Sequence, residues 1–184
     1  HTFRGKLLPY IMRLMYPSCS GIICVSQGVA RDLASEIKIP NAADQMTVIY
    51  NPVITSEMMN LSRLPPDHPW LIDDSVPVVL GVGRLMPAKN FQLLIKAFHN
   101  LLDTIPARLI ILGEGPERPR LERLVKELDI YDRVSLPGFV HNPYVYFRNS
   151  SVFVLSSLWE GLPTVLIEAL ACGTQVVSTD CKQL

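Results

Sequence analysis

The sequence predicts a doubly wound α/β domain, and two observations carry that prediction. Short apolar runs alternate along the chain with longer segments whose apolar residues recur at helical spacing. The runs are continuously apolar, which is typical of parallel strands covered by helices on both faces. The 184 residues have room for one full domain or a little more, and 48% hydrophobic against 18% charged residues exclude a disordered chain.

The elements before residue 77 are the less regular ones. Residues 6–16 and 28–37 have helical spacing, whereas residues 21–25 and 46–50 are strand-like. Residues 51–76 contain four prolines among polar residues with little periodicity. Because proline fixes φ and removes a donor, we interpret this stretch as a connector.

From residue 77 onward the pattern becomes regular. Five apolar runs predict strands at residues 77–82, 108–112, 133–136, 152–155 and 175–178. Helical spacing predicts a helix at residues 90–104 and a second one with Leu121, Leu124, Val125 and Leu128 on one face. A third helix is predicted at residues 163–172, with a proline in its first turn and Gly173 just past its end.

The segments that follow the strands collect glycines and polar residues. In open α/β sheets ligands bind outside the carboxyl ends of the strands, so these segments share one edge of the sheet. One glycine-rich loop is a weak signal, whereas four on the same edge predict a ligand site. The segments are residues 83–90, 113–116, 137–140, 156–164 and 179–180.

The first of these loops carries two cations. It is not a Rossmann fingerprint, because Met86 stands where the third glycine is required, and the chain has no P-loop lysine motif. Arg84 and Lys89 flank a turn expected at Pro87. A guanidinium forms bidentate hydrogen bonds and an ammonium is a point charge, a combination that suits a diphosphate. A solvated turn with ordinary surface charges is the alternative.

Two carboxylates, Glu160 and Glu168, stand before and inside the last predicted helix. Ionised carboxylates accept hydrogen bonds from hydroxyl groups, so one could hold a sugar and the other a ribose. A capping role for Glu160 and an ordinary helix position for Glu168 are the alternatives. The free N–H groups at the start of this helix make a natural anion site, and they belong to Gly161, Leu162, Thr164 and Val165.

Together these sequence motifs resemble those of family 4 retaining glycosyltransferases of the GT-B fold. Their order and spacing match from about Val78 to Asp180, which is the Rossmann-like, donor-binding C-terminal domain of that family. Residues 24–26 and 48–53 are similar to the end of its N-terminal domain and its linker. The matching phrases are residues 83–85 with 89–90, 112–116, 134 with 138–140, and 156–173.

The resemblance implies a division of the chain into three parts. Residues 1–50 would be a remnant of the N-terminal, acceptor-side domain, residues 51–76 an interdomain linker, and residues 77–184 an incomplete nucleotide-sugar-binding domain. We therefore expect a fragment, truncated at both ends, that does not turn over substrate alone.

The resemblance also implies residue roles. Arg84 and Lys89 would bind the donor diphosphate, Glu160 would lie near the transferred sugar, and Glu168 would bind the ribose. The implied catalytic residues are Glu160, Arg84 and Lys89, which with the helix dipole would stabilise the leaving diphosphate without a metal or other cofactor. The implied donor-binding residues are Gly83, Arg84, Lys89, Gly113, Phe139, Val140, Glu160, Gly161, Leu162, Pro163, Thr164 and Glu168.

The implied function is that of a retaining hexosyltransferase. It would move a hexose or N-acetylhexosamine from a nucleotide-diphosphate sugar, with UDP preferred over GDP, to a glycan or lipid-linked acceptor. Such a reaction belongs to polysaccharide and cell-envelope biosynthesis. A non-catalytic nucleotide-sugar-binding module remains the alternative. A GT-B epimerase or phosphorylase is disfavoured, because the motif formed by Glu160 and Glu168 resembles neither of those families.

Composition sets the expected partners and location. Lys+Arg and Asp+Glu both number 17, and the resulting zero net charge predicts no nucleic-acid partner. Four cysteines without a C-x-x-C pair and four histidines predict neither a metal site nor a disulfide framework, so we expect a cytoplasmic protein. Only His141 borders the predicted site. The Met-rich helix at residues 6–16 is interpreted as core, with peripheral contact to the inner membrane face through the N-terminal domain left open.

Overall fold

The chain divides into two compact units. This computed structural model describes residues 10–37 and 45–183. The first unit comprises His1–Pro52 with Glu160–Leu162 and Lys182–Leu184, and the second comprises Val53–Trp159 and Pro163–Cys181. The three-part division expected from the sequence stays a prediction.

The first unit contains a small parallel sheet with a helix after its first strand. Strand β1 (Ile22–Cys24) pairs in parallel with β2 (Met46–Val48), and helix α1 (Gln27–Ile37) follows β1. The hydroxyl of Ser26 accepts a hydrogen bond from the Val29 N–H at 3.1 Å, which satisfies a free donor at the start of α1. The strands and the helix predicted for this region are therefore confirmed.

The helix predicted at residues 6–16 is present over residues 10–15, while residues 6–9 lie outside the described ones. Leu14 is 80% exposed and Met15 is 60% exposed. The interpretation of this helix as core is therefore wrong for these two side chains. Among the described residues, no helix is both long enough and apolar enough to cross a lipid bilayer.

The second unit is built on a five-stranded parallel sheet. Its strands are β3 (Val78–Val82), β4 (Arg108–Leu112), β5 (Val134–Gly138), β6 (Val152–Leu155) and β8 (Gln175–Ser178), and they lie in the order β5-β4-β3-β6-β8. The chain starts at the central β3, winds outward through β4 and β5, and returns to the other side of β3 through β6 and β8. This reversal confirms the predicted Rossmann-like, doubly wound topology, and it places a switch point between β3 and β6.

A separate pair of short strands is formed by β7 (Trp159–Glu160) and β9 (Lys182–Gln183). Glu160 and both residues of β9 belong to the first unit.

Helices cover both faces of this sheet. Successive residues of β4 point to opposite faces, so Leu109 and Ile111 belong to one core and Ile110 to the other. The helices of this unit are α2 (Ser56–Ser62), α3 (Pro69–Ile72), α4 (Phe91–Leu102), α5 (Arg118–Glu127), α6 (Pro143–Asn149) and α7 (Thr164–Ala171). Helices α4 and α5 pack on the face of Leu109 and Ile111, whereas α2, α3, α6 and α7 supply buried residues to the face of Ile110.

The stretch interpreted as a connector contains two of these helices. Thr55 caps α2, because its Oγ1 accepts from the Met58 N–H at 3.1 Å. Met58 and Leu71 are buried in the core, and burial of such a side chain contributes roughly 1.5–3 kcal/mol. With only seven and four residues, α2 and α3 are too short to show a 3.6-residue period, so tertiary packing selects them.

Two further details differ from the sequence prediction. Helix α6 was not predicted, because its seven residues are almost all aromatic or polar and show no helical period. Pro163 was expected in the first turn of the last helix, but it stands one residue earlier as the N-cap of α7. The other strands and helices of the second unit are confirmed.

Candidate functional site

A cavity of about 390 Å³ opens in the second unit at the carboxyl ends of β3, β4 and β5. This is the edge where the sequence predicted a ligand site. The cavity brings together five of the predicted residues, namely Gly83, Arg84, Gly113, Phe139 and Val140. Its other lining residues are Val82, Leu112, Glu114 and Pro143.

Backbone hydrogen bonds join the loops that form the cavity. The Gly83 N–H donates to the Leu112 carbonyl at 3.0 Å, and the Gly113 N–H donates to the Gly138 carbonyl at 2.8 Å. The Leu85 N–H donates to the Glu114 carbonyl at 2.9 Å. The three strand ends are therefore held in register beyond the sheet itself, which gives the cavity a preformed wall.

Gly113 is required by the close approach of two of these loops. Its φ is +128°, and a Cβ at this position would overlap the carbonyl oxygen of Gly83. The neighbouring atom belongs to a backbone that is itself hydrogen-bonded, so it has little freedom to move. Only glycine fits here.

Lys89 is positioned by the loop that follows β6. The turn expected at Pro87 is a 3₁₀ turn over Pro87–Lys89. The Lys89 carbonyl accepts from the Ser156 hydroxyl, and the Ala88 carbonyl accepts from the Leu158 N–H, both at 2.8 Å. These bonds fix the turn at the switch point between β3 and β6.

The two predicted cations therefore lie on one short loop. The stem of Lys89 runs across Gly83, since a Cβ at Gly83 would stand 3.2 Å from Lys89 Cε. Arg84 is the next residue and lines the cavity with an exposed side chain. Lys89 is half-buried. It lies on the same loop as Arg84 but is not among the residues that line the cavity.

Thr164 and Glu168 lie on α7 and are not among the residues that line the cavity. Glu168 is half-buried, and burial raises the pKa of its carboxyl group. Burial also raises the pKa of the Tyr144 hydroxyl, and the negative charge of Glu168 adds to that effect. A carboxylate that lacks solvation is a good acceptor for incoming hydroxyl groups.

Glu168→Gln is expected to stabilise the ligand-free protein at neutral pH. The folded-state pKa of Glu168 is raised, so its contribution to stability falls as pH rises through the unfolded and then the folded pKa. Glutamine does not ionise, so the variant does not lose stability in this way as pH rises. The variant should therefore have a higher free energy of unfolding than the wild type at pH 7, and this difference should vanish near pH 4. Urea denaturation of both proteins at the two pH values measures it, and an equal difference at both would contradict the prediction.

Three predicted residues belong to the first unit. Glu160 is half-buried on β7, and Gly161 and Leu162 follow it. The Gly161 carbonyl accepts a hydrogen bond from the Ser26 hydroxyl at 3.1 Å. The other nine predicted donor-binding residues belong to the second unit.

Glu114 lies within one of the predicted glycine-rich loops, but no role is predicted for it from the sequence. It lines the cavity, and its carboxylate accepts from Arg118 Nη1 at 2.8 Å. The opposite charges at i,i+4 spacing were the available signal. His141 lies beside Phe139, with ring centroids 5.3 Å apart, and it lines a neighbouring cavity instead. Within residues 10–37 and 45–183, no group of three His, Cys, Asp or Glu side chains is arranged to hold a metal ion.

The family of the chain follows from a comparison with known sequences. The sequence profile of the family described as "Glycosyl transferases group 1" matches residues 67–184, which is most of the second unit and well over half of the chain. The chain belongs to the group 1 glycosyl transferases. The finer assignment to family 4 retaining enzymes stays a prediction.

Two named glycosyltransferases are similar to this group 1 chain over almost its whole length. An N-acetylgalactosaminyltransferase of Campylobacter jejuni, named for an N-acetylgalactosamine-N,N'-diacetylbacillosaminyl-diphospho-undecaprenol acceptor, is 34% identical over 182 residues. That match covers 99% of this chain and 47% of the relative. The lipopolysaccharide core glycosyltransferase LpsE of Rhizobium meliloti is 32% identical over 176 residues, covering 95% of this chain and 48% of the relative. The chain thus spans about half the length of these relatives.

Solved structures agree with the fold. Anabaena HepE in complex with UDP-glucose superimposes with a TM-score of 0.81 at 22% identity, covering 97% of this chain and 50% of that one. The lipopolysaccharide outer core galactosyltransferase WaaB superimposes with a TM-score of 0.67 at 26% identity, covering 91% and 45%. These likenesses confirm the α/β fold of the group 1 chain.

Proposed function

We propose that this group 1 chain binds the donor of a retaining glycosyltransferase of family 4, a nucleoside-diphosphate sugar. The observation that carries the proposal is the preformed cavity at the carboxyl ends of β3, β4 and β5, with Arg84 in its lining and Lys89 on the same loop. Ligands of open α/β sheets bind at this edge, and the two cations suit a diphosphate.

The diphosphate would bind to Arg84 and Lys89. The arginine fork matches two phosphate oxygens, while the lysine ammonium adds a point charge. When the bond to the sugar breaks, negative charge develops on the leaving diphosphate, and fixed positive groups stabilise that charge without reorganising. We propose that the Thr164 and Val165 N–H groups at the start of α7 add to this field, and that the reaction needs no metal ion or other cofactor.

The nucleoside would occupy the cavity itself. The Phe139 and Val140 wall supplies apolar contact for a nucleobase, and Gly83 and Gly113 let the backbone approach the ligand. Glu168 would accept hydrogen bonds from the ribose hydroxyls. UDP is our preferred nucleotide, and the structural likeness to HepE, which was solved with UDP-glucose, supports that choice.

The sugar would be oriented by Glu160 and the backbone of Gly161 and Leu162. Transfer with retention would place the acceptor hydroxyl on the same face as the leaving group. The sugar would be a hexose or N-acetylhexosamine, and the acceptor would be a glycan or lipid-linked molecule. The name of the Campylobacter relative supports an N-acetylhexosamine and a lipid-linked acceptor, and the name of the Rhizobium relative supports a lipopolysaccharide acceptor. We propose that this reaction takes place in the cytoplasm at the inner face of the membrane. We also propose that this chain alone binds the donor without turnover.

Ligand-induced thermal stabilisation tests this proposal. UDP, GDP, UDP-glucose, UDP-N-acetylglucosamine and UDP-N-acetylgalactosamine would each be added over a concentration series. A ligand at a hundred times its Kd stabilises the folded state by about 2.7 kcal/mol, which is a clear shift in Tm. We expect UDP and at least one UDP-sugar to raise Tm, and adenosine as the control to leave it unchanged. No shift with any nucleoside diphosphate would contradict the proposal.

A further inference from the structure

β5 departs from regular pairing immediately before it reaches the cavity. Ser135 lies opposite Ile110, yet Gly138 lies opposite Leu112, so Leu136 and Pro137 share the single position across from Ile111. This is a β-bulge, and bulges beside functional sites commonly redirect the residues that follow them. Here the residues that follow are Gly138, Phe139 and Val140.

The guanidinium of Arg118 binds at this bulge. Its Nη2 donates to the Leu136 carbonyl at 2.7 Å, and its Nη1 donates to Glu114 Oε1 at 2.8 Å. Its Nε donates to Glu122 Oε1 at 2.9 Å. One planar group therefore bonds to partners on three segments, which are the bulge of β5, the loop after β4 and helix α5.

One of those partners, Glu114, lines the cavity, and a second, Leu136, precedes Phe139 of the lining by three residues. The Glu114 carboxylate is packed against Gly138, because a Cβ on that glycine would stand 2.5 Å from Glu114 Oε1. Arg118 thus connects the wall formed by the loop after β4 to the wall formed by the end of β5.

The hydrogen bonds and ion pairs of Arg118 indicate that this residue affects the geometry of the cavity more than the stability of the fold. The side chains of Glu114 and Glu122 are about half exposed, and ion pairs in such positions are worth little because water screens them. The bond to the Leu136 carbonyl is different, since it fixes a backbone atom within the bulge. Loss of Arg118 would free the bulge without removing a core side chain.

We infer that Arg118 is a positioning residue that sets the direction of the Phe139 and Val140 wall. This inference rests on the proposed function, in which that wall contacts the nucleobase and the loop of Arg84 and Lys89 contacts the phosphates. Arg118 acts through Glu114 and the bulge, and it does not touch the nucleotide itself.

Calorimetry with two probes tests the inference. UDP reports on the base wall and the phosphate loop together, whereas inorganic pyrophosphate reports on the phosphate loop alone. Arg118→Ala is expected to weaken UDP binding about tenfold and to leave pyrophosphate binding within about twofold. Glu122→Ala is the matched control, because it removes a partner of Arg118 that is remote from the cavity, and it should change neither affinity.

Arg118→Lys keeps the charge but loses the fork, so it should show an intermediate loss of UDP affinity and decides the question if Arg118→Ala does not fold. UDP affinity equal to that of the wild type in the folded Arg118 variants would overturn the inference alone. An equal loss for UDP and pyrophosphate would also overturn it, since that indicates general disruption. Failure of the wild type to bind UDP would overturn the proposed function and this inference with it.

Discussion

Replacing Arg84 and Lys89 together by alanine is expected to weaken UDP binding about a hundredfold or more. Each cation would form charge-assisted hydrogen bonds to phosphate, and the loss of one such bond costs roughly 1–3 kcal/mol. Arg84 lines the cavity, and the stem of Lys89 lies against Gly83 of the same loop. The double variant therefore removes both cations of this loop at once. Isothermal titration calorimetry with UDP measures the change.

A double variant elsewhere in the same unit provides the control for this prediction. Arg123→Ala with Lys126→Ala removes one arginine and one lysine from exposed positions on α5, so the net charge changes equally. Its UDP affinity should stay within about twofold of the wild type at 0.15 M salt, where charges far apart are screened. Wild-type affinity in the Arg84 and Lys89 variant would refute the assignment of the phosphate site.

Gly113→Ala is expected to lower the free energy of unfolding by more than about 3 kcal/mol, a loss reserved for a few severe mechanisms. The new Cβ would overlap the Gly83 carbonyl oxygen, and φ is +128° at this position. Relief requires moving a loop that is bonded through the Gly83 and Gly113 N–H groups. Any folded remainder should also lose UDP binding, because the cavity wall has shifted.

Gly173→Ala separates the overlap from the backbone conformation. Gly173 also has a positive φ, +86°, but no atom lies within 4 Å of where its Cβ would stand. Gly173→Ala should therefore lower the free energy of unfolding only by the conformational cost of about 1–2 kcal/mol. Urea denaturation of both variants makes the comparison. Equal losses at the two glycines would show that the approach of the two loops carries no special cost.

The central strands of the second unit were predictable because strands buried on both faces are continuously apolar. The predicted runs at residues 108–112 and 152–155 coincide with β4 and β6. The edge strand β8 also has its predicted bounds, 175–178, although Val177 within it is 56% exposed. Helices α4 and α5 are long enough to show a helical period. The short α2, α3 and α6 are not, and only their packing against the sheet makes them helical.

The site was partly predictable for a related reason. Glycine and charged residues after apolar runs indicate a loop at the ligand edge of a sheet, and Gly83, Arg84 and Gly113 were found in this way. Glu114 stood in the same kind of loop but received no role. Its carboxylate is bonded to Arg118, which also donates to the Leu136 carbonyl at the bulge of β5, and these partners are brought together only by strand pairing.

The sequence by itself determined the class of fold, the edge of the sheet that holds the cavity and the family of the chain. Those properties depend on residues that are near one another along the chain, so they can be read from local patterns. The tertiary structure decided which loops meet: that Gly113 lies against Gly83, that the Lys89 turn is bonded to Ser156. It also decided that Arg118 reaches Leu136. Contacts of this kind depend on strand order and register, which local patterns of hydrophobicity do not encode.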